Sequence, residues 1–223
     1  KWMALAKEND KREYAEVILP STGPEGKYIS MYDVISTLAE VEKGNAVIVT
    51  DVGQNQMFSA RYSKFNQTRS FITSGGLGTM GFGLPAAMGA KLGVPDREVV
   101  AVMGDGGFQM TMQELGTIMQ NKIGVKMIVL NNTYLGMVRQ WQQLFYDKRY
   151  SFTLLENPDF PTIASAYGIA NRRVERLADL RAAIQELADA PGAYFLEVDV
   201  LPEENVFPMV PAGASLSDTI CKE

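Results

Sequence analysis

Four short apolar runs mark the chain: Ala46-Val47-Ile48-Val49-Thr50, Val99 to Met103, Lys126 to Leu130, and Tyr194 to Val200. They are rich in β-branched side chains, and three of them end in turn-forming polar residues: Asp51, Gly104-Asp105-Gly106-Gly107 and Asn131-Asn132. Between the runs lie stretches with helical spacing, from Ser30-Met31-Tyr32-Asp33 through Leu38 to about Glu42, then Thr111 to Asn121, Pro161 to Tyr167 and Leu177 to Ala188. Continuous apolar strands alternating with amphipathic helices predict an α/β fold, a parallel sheet with helices on both faces. Leu115 and Ile118 fall on a helix face turned toward that sheet. Ligands of such sheets bind beyond the carboxyl ends of the strands, which is where Asp51, Asp105 and Asn132 are expected.

Ahead of this pattern, residues 1 to about 14 are charged and amphipathic, like the end of a helix, and residues 19–26 are turn chemistry with little to bury. We therefore expect residues 1–29 to be the end of a preceding domain and a linker, 30–213 the domain itself, and 214–223 a tail. The start at Lys1-Trp2-Met3, without an initiator methionine, reads as a piece of a longer chain.

Composition narrows the chemistry. Of 223 residues 46% are hydrophobic and 21% charged, enough apolar side chain for a sizeable core. A net charge of -5 offers no broad basic field, so neither nucleic acid nor a membrane surface is an expected partner, and no apolar run is long enough to span a bilayer. The single cysteine, Cys221, excludes an internal disulfide framework and fits a reducing, cytoplasmic setting. The absence of histidine removes Ser-His and Cys-His triads and imidazole metal ligands, so proton transfer needs another group or a cofactor.

The most informative combination is Gly104-Asp105-Gly106-Gly107 after one strand and Asn131-Asn132 after the next, about 27 residues on. The glycines let the backbone turn tightly and come close to a ligand, and a helix beginning just beyond would aim its free N–H groups at the same place. Asp105 and Asn132 each offer a hard oxygen, which suits a Mg2+ ion that completes its shell with phosphate oxygens. Either turn alone is common strand-end chemistry; their joint order and spacing is not.

This GDG…NN pattern resembles the Mg2+-diphosphate motif of thiamine-diphosphate enzymes. The resemblance extends to Asp51-Val52-Gly53-Gln54-Asn55-Gln56-Met57, to the glycine-rich stretch Thr73 to Ala87, to Leu135-Gly136-Met137-Val138-Arg139-Gln140-Trp141, and to Glu204-Asn205-Val206-Phe207-Pro208-Met209-Val210-Pro211. Together these are similar to the large catalytic subunits of acetolactate synthase, from Ser30 to about Gly213. The resemblance implies the diphosphate-binding domain of the thiamine-diphosphate-binding fold. It implies Asp105, Asn132 and the Tyr134 carbonyl as metal ligands, Gln54 and Asn55 on the diphosphate with Gly106 and Gly107 around it, and Gly78, Thr79 and Met80 beside the aminopyrimidine. Gly75 and Gly76 would touch a flavin (FAD) held mostly by a missing domain, Met137 would bend the cofactor, and Trp141 would wall the substrate channel. Most members carry histidine where this chain has Asn55, which keeps a donor.

The implied reaction is decarboxylation of pyruvate and ligation of the product to a second 2-oxo acid, in branched-chain amino acid biosynthesis, by a homodimer or tetramer with a possible regulatory small subunit. Alternatives are another thiamine-diphosphate 2-oxo acid decarboxylase or carboligase, or a non-catalytic cofactor-binding module. An ordinary dinucleotide site is disfavoured because Asp51-Val52-Gly53-Gln54 contains no G-x-G-x-x-G. The family's catalytic glutamate belongs to an N-terminal domain, and Glu40 and Glu114 read as helix residues. We therefore expect these 223 residues alone to be catalytically silent; carboligation by the purified chain would overturn that.

Overall fold

The structure, a computed structural model, describes residues 2–19 and 28–221, so most of the expected linker lies outside the described residues. Its centre is a six-stranded, wholly parallel sheet. In chain order the elements are α1 (Trp2–Glu13), continued by one wider turn (Tyr14–Ile18), α2 (Met31–Val41), β1 (Val47–Thr50), α3 (Gln54–Tyr62), β2 (Phe71–Ile72), α4 (Gly83–Gly93) and β3 (Val99–Gly104). Then follow α5 (Asp105–Thr111), a 3-10 turn (Met112–Glu114), α6 (Leu115–Asn121), β4 (Lys126–Asn131), α7 (Gly136–Phe145), α8 (Phe160–Ala166), β5 (Ala170–Val174), α9 (Leu177–Asp189) and β6 (Tyr194–Asp199).

The strand order is β2-β1-β3-β4-β6-β5. From β1 the chain moves outward to β2, then returns to place β3 on the other side of β1. That reversal opens a crevice at the carboxyl ends of β1 and β3, the usual ligand position in such sheets. β3 pairs with β4 in the register Gly104 opposite Leu130, so Asp105 and the Asn131-Asn132 pair leave neighbouring strand tips.

Both sheet faces are covered, which is why the central strands read as unbroken apolar runs. One face packs Ile48, Val100, Ile128 and Leu196 under α2, α3 and α9. The other packs Val49, Ala101, Val129 and Phe195 under α4, α5, α6 and α8, with Leu115 and Ile118 buried there as expected. α2 begins at a reciprocal cap: the Asp33 N–H donates to Ser30 Oγ, and the Ser30 N–H donates to Asp33 Oδ2.

Several expectations need correction. The helix expected from Thr111 begins at Asp105 and is broken by the 3-10 turn, so Asp105, Gly106 and Gly107 are a helix's first turn, with an acidic residue favoured there by the macrodipole. Strands β2 and β5 were not foreseen. β2 is only two residues, and β5 (Ala-Asn-Arg-Arg-Val) is a polar edge whose Arg173 pairs with Asp199 at 2.6 Å and Arg172 with Glu186 at 2.9 Å. Charged edges block pairing with other chains, and they also erase the apolar signal. Helices α3, α4 and α7 overlap the motif stretches 51–57, 73–87 and 135–141.

Phe108 ties the fold to the site. It sits one turn along α5 from Asp105, fully buried, with its ring 5.3 Å from Phe160 and 5.2 Å from Phe195. Phe108→Ala is expected to destabilise the protein by about 3–5 kcal/mol in denaturant unfolding, the cost of an unfilled aromatic cavity.

Candidate functional site

The crevice is a narrow cleft with about 480 Å3 of empty space, part of it open to solvent. Three strand tips form it: Val52 to Asn55 after β1, Gly104 to Gly107 at β3, and Leu130 with Asn132 at β4. Tyr134, Leu135, Gly136 and Met137 close one side, and Met80 approaches from the glycine-rich loop.

Asp51 holds this assembly in place. Its fully buried carboxylate accepts N–H bonds from Val52 (2.8 Å), Gly81 (3.1 Å) and Gly83 (2.8 Å), so β1 is tied directly to the loop that carries Met80. A Cβ on Gly107 would overlap the same carboxylate, which explains a glycine in the first turn of α5. Asp51 therefore braces the cleft without lining it.

The two asparagines after β4 have separate tasks. Asn131 turns inward: its Nδ2 donates to Glu197 Oε1 at 2.7 Å and its Oδ1 accepts the Thr133 N–H at 3.1 Å. Asn132 faces the cleft. Its Oδ1 accepts the Tyr134 N–H at 3.2 Å, and its Nδ2 donates to Gln54 Oε1 at 3.3 Å. These successive side-chain turns hold Thr133 in a left-handed conformation (φ 59°) that a β-branched residue rarely adopts.

Asp105 is 1% exposed. Its Oδ1 accepts the Gly106 N–H at 2.9 Å, and its Oδ2 accepts from Asn157 Nδ2 at 2.7 Å. Burial pushes its pKa up to about 6, with the Asn157 and Gly106 hydrogen bonds pulling the other way. A carboxylate held in a dry site at that cost is ready for a cation.

Comparison with known proteins decides what this cleft belongs to. The family described as "Thiamine pyrophosphate enzyme, C-terminal TPP binding domain" matches residues 51–198, from the brace at Asp51 into β6. The chain belongs to that family. It is 46% identical over 190 residues to the acetolactate synthase isozyme 2 large subunit of Escherichia coli, covering 85% of this chain and 35% of that protein. It is 48% identical over 194 residues to acetolactate synthase 1, chloroplastic, of Nicotiana tabacum, covering 83% and 29%. With the acetolactate synthase large subunit of Lactococcus lactis the identity is 44% over 201 residues, covering 88% and 34%. The chain thus spans about a third of the length of these relatives.

Within this thiamine pyrophosphate (thiamine diphosphate) binding domain, the cleft brings together most of the residues singled out by motif. Gln54, Asn55, Met80, Asp105, Gly106, Gly107, Asn132, Tyr134 and Met137 all line it. Gly75, Gly76, Gly78 and Thr79 do not: they are exposed on the loop ahead of Met80. Trp141 is 42% exposed and lines an adjoining open depression, which shares Met137 and Val138 with the cleft. Glu40 is exposed and paired with Arg181, and Glu114 accepts from Thr117 Oγ1, so both are helix residues as expected.

Gln54 and Asn55 line the cleft, but both amide hydrogens of Gln54 and one of Asn55 are engaged elsewhere. Gln54 Nε2 donates to the Glu204 carbonyl at 2.7 Å and to Gln140 Oε1 at 3.2 Å, and Asn55 Nδ2 donates to the Val102 carbonyl at 3.0 Å. In this arrangement Gln54 orients Asn132. Gln140 extends the network: its Oε1 accepts the Val206 N–H at 2.9 Å and its Nε2 donates to the Val206 carbonyl at 3.0 Å. The Glu204-to-Val206 tail is thereby clamped to α7.

Sequence reasoning missed Asp51 as a brace, and it missed Gln140, Asn157 and Glu204. Glu204 and Gln140 lie in motifs quoted only as family markers, and nothing around Asn157 marks it. Glu204 is buried at the start of α2, where its Oε2 accepts the Met31 N–H at 2.7 Å. Burial raises its pKa from 4.5 to about 8, against that hydrogen bond, with Asp33 adding to the rise. A carboxyl raised on folding binds its proton more tightly in the native state. Its stabilising contribution is full below pH about 4.5 and is lost as pH climbs to about 8. The thermal stability of the parent should therefore fall across that window, by at most about 1.4 kcal/mol per pH unit from this group. Glu204→Gln should flatten that slope, as read by unfolding at a series of pH values.

Proposed function

We propose that the chain anchors Mg2+ and thiamine diphosphate for an acetolactate synthase that decarboxylates pyruvate and joins the product to a second 2-oxo acid. One observation carries the reading: two adjacent strand tips present a buried carboxylate, Asp105, and an amide oxygen, Asn132, to a single cleft. The donor set suits the ion. Among the described residues no group of three or more His, Cys, Asp or Glu side chains could hold a metal alone. One carboxylate, one amide and the Tyr134 carbonyl leave positions for phosphate oxygens, as Mg2+ prefers. The Asp105 carboxylate is oriented by N–H donors, Gly106 and Asn157 among them, and not by a cationic side chain.

Bound thiamine diphosphate supplies the ring that adds to a 2-oxo acid and accommodates the charge left when carbon dioxide departs. The chain's own residues hold and orient it. Met80 and Met137 offer apolar walls on the two sides of the cleft, and Trp141 flanks the neighbouring depression in which the substrates would meet. Asp105 and Tyr134 are the ionisable side chains among the residues lining the cleft, and the proposed metal site engages both residues, so a proton-moving group from elsewhere fits this reading. That supports the expectation of a glutamate from another domain or subunit, and of a homodimer or tetramer. Leu77 (94% exposed) and Met110 (54% exposed), apolar residues in and beside the glycine-rich loop, are consistent with such a contact.

Relatives named "large subunit" support a regulatory small subunit as a partner. Flavin contact through Gly75 and Gly76 would use the exposed part of the loop. Among the described residues no helix is long and apolar enough to cross a membrane; an exposed lone thiol, Cys221, favours a reducing, cytoplasmic setting.

Titration with thiamine diphosphate in the presence of Mg2+ should give saturable binding that EDTA abolishes. Asp105→Ala should weaken it by more than about 100-fold, beyond the 10–100-fold typical of outer-shell partners. Binding that is indifferent to both EDTA and this substitution would overturn the reading. In the complete enzyme, acetaldehyde rather than acetolactate from pyruvate would shift it to a simple decarboxylase.

A further inference from the structure

The segment between α7 and α8 passes directly over the turn that carries Asn132. The Leu135 N–H donates to the Thr153 carbonyl at 2.8 Å, and the Leu155 N–H donates to the Thr133 carbonyl at 2.8 Å. Two residues further, Asn157 reaches both strand tips with one nitrogen. Its Nδ2 donates to Asp105 Oδ2 at 2.7 Å and to Asn131 Oδ1 at 2.9 Å. Its Oδ1 accepts from Gln109 Nε2, on α5, at 2.9 Å. The Gln109 bond fixes the amide's orientation, because the flipped form would set a carbonyl oxygen against the Asp105 carboxylate and the Asn131 carbonyl. Asn131 in turn carries the bond to Thr133 that opens the Asn132 turn.

We propose that Asn157 is a positioning residue for the metal: its amide nitrogen spans the tips of β3 and β4 and sets the separation and orientation of Asp105 relative to Asn132. This rests on the metal reading above and deepens it. Outer-shell hydrogen bonds orient metal ligands, and removing them commonly costs 10–100-fold in metal affinity. Here one neutral group serves two strands. It orients a carboxylate without neutralising it, as a lysine or arginine at that place would. Without Asn157, Asp105 Oδ2 loses its side-chain donor while Oδ1 keeps the Gly106 N–H, and the Asn131 oxygen retains only the Thr133 N–H.

The test uses the full chain at saturating thiamine diphosphate and reads the Mg2+ concentration at half-maximal binding. Asn157→Ala should raise it by about ten-fold or more, whereas thiamine diphosphate affinity at saturating Mg2+ stays within about three-fold of the parent. Gln109→Ala, which frees the amide but keeps its donor, should raise the Mg2+ midpoint by a smaller factor of about three. With Mn2+ as probe, the electron paramagnetic resonance line shape of the ternary complex should change in Asn157→Ala, which a merely structural role would not produce. Thermal unfolding without metal reports any loss of fold. A Mg2+ midpoint within about two-fold of the parent in folded Asn157→Ala overturns the proposal alone. If that variant does not fold, an unshifted midpoint in Gln109→Ala overturns it. A parent chain that shows no Mg2+-dependent binding removes the functional reading and this proposal with it.

Discussion

The register of β3 against β4 is the constraint on which the site depends. With Gly104 opposite Leu130, Asp105 and the Asn131-Asn132 pair leave adjacent tips at the same end of the sheet. Adjacent strands lie about 4.8 Å apart, within the reach of two short side chains sharing one ion. A slip of one residue would invert every side chain between the two helical layers. The unbroken apolar sequence of both strands does not itself exclude such a slip. Against β3 the link is Asn157, which bonds Asp105 and Asn131 at the two tips; against β6, β4 is held at both ends. Lys126, at the start of β4, is buried and bonded to the Ala190 and Gly192 carbonyls, and the Asn131 turn locks the other end through Glu197 on β6. A buried lysine at one end and a buried glutamate near the other have different partners, so neither can be moved by one position without orphaning a polar group.

Around that register the site is braced chiefly by amides. Gln54, Asn55, Asn131, Asn132, Gln140 and Asn157 form most of the side-chain contacts behind the cleft, and the charged brace, Asp51, is satisfied by backbone N–H groups. An amide both donates and accepts, so it can link two elements without adding net charge, which suits the proposed binding of a divalent cation and a diphosphate. Ion pairs in the same role would compete with the ligand for Asp105 or carry their own desolvation cost. The single carboxylate in the cleft wall is then Asp105, and its raised pKa is the cost of keeping it dry.

The fold was legible where burial on both faces makes a strand a simple apolar run, as in β1, β3, β4 and β6. It was illegible where function or edge position inverts the pattern. In α7 the buried residues are Arg139 and Gln140, whereas Val138, Trp141 and Phe145 are 40–48% exposed. Its polar side faces the tail, and its apolar side faces the open depression, so hydrophobic spacing gives the wrong inside. The site shows the same division. Asp105 and Asn132 were legible because each follows its strand directly and the order and spacing of the two turns can be read along the chain. Asn157, Gln140 and Glu204 act across long sequence separations, through a hydrogen-bond geometry that no local spacing encodes.

That inverted helix also bears on how the cleft is completed. Arg139 lies between the rings of Tyr134 and Tyr150, 5.0 and 4.7 Å from their centroids, and pairs with Glu203 at 2.6 Å. Gln140, next along, clamps Val206. Tyr134 contributes to the cleft wall, so one helix couples the strand-end turn, the segment after α7 and the C-terminal tail. With its polar face committed in this way, α7 cannot roll to bury Trp141 and Val138 without breaking both the cation–π stack and the amide clamp. The exposure of its apolar face beside the cleft is therefore imposed by the packing behind it. Apolar surface held open next to a dry carboxylate is what a site requires when it must take an anionic, partly apolar ligand from water and cover it with residues from elsewhere.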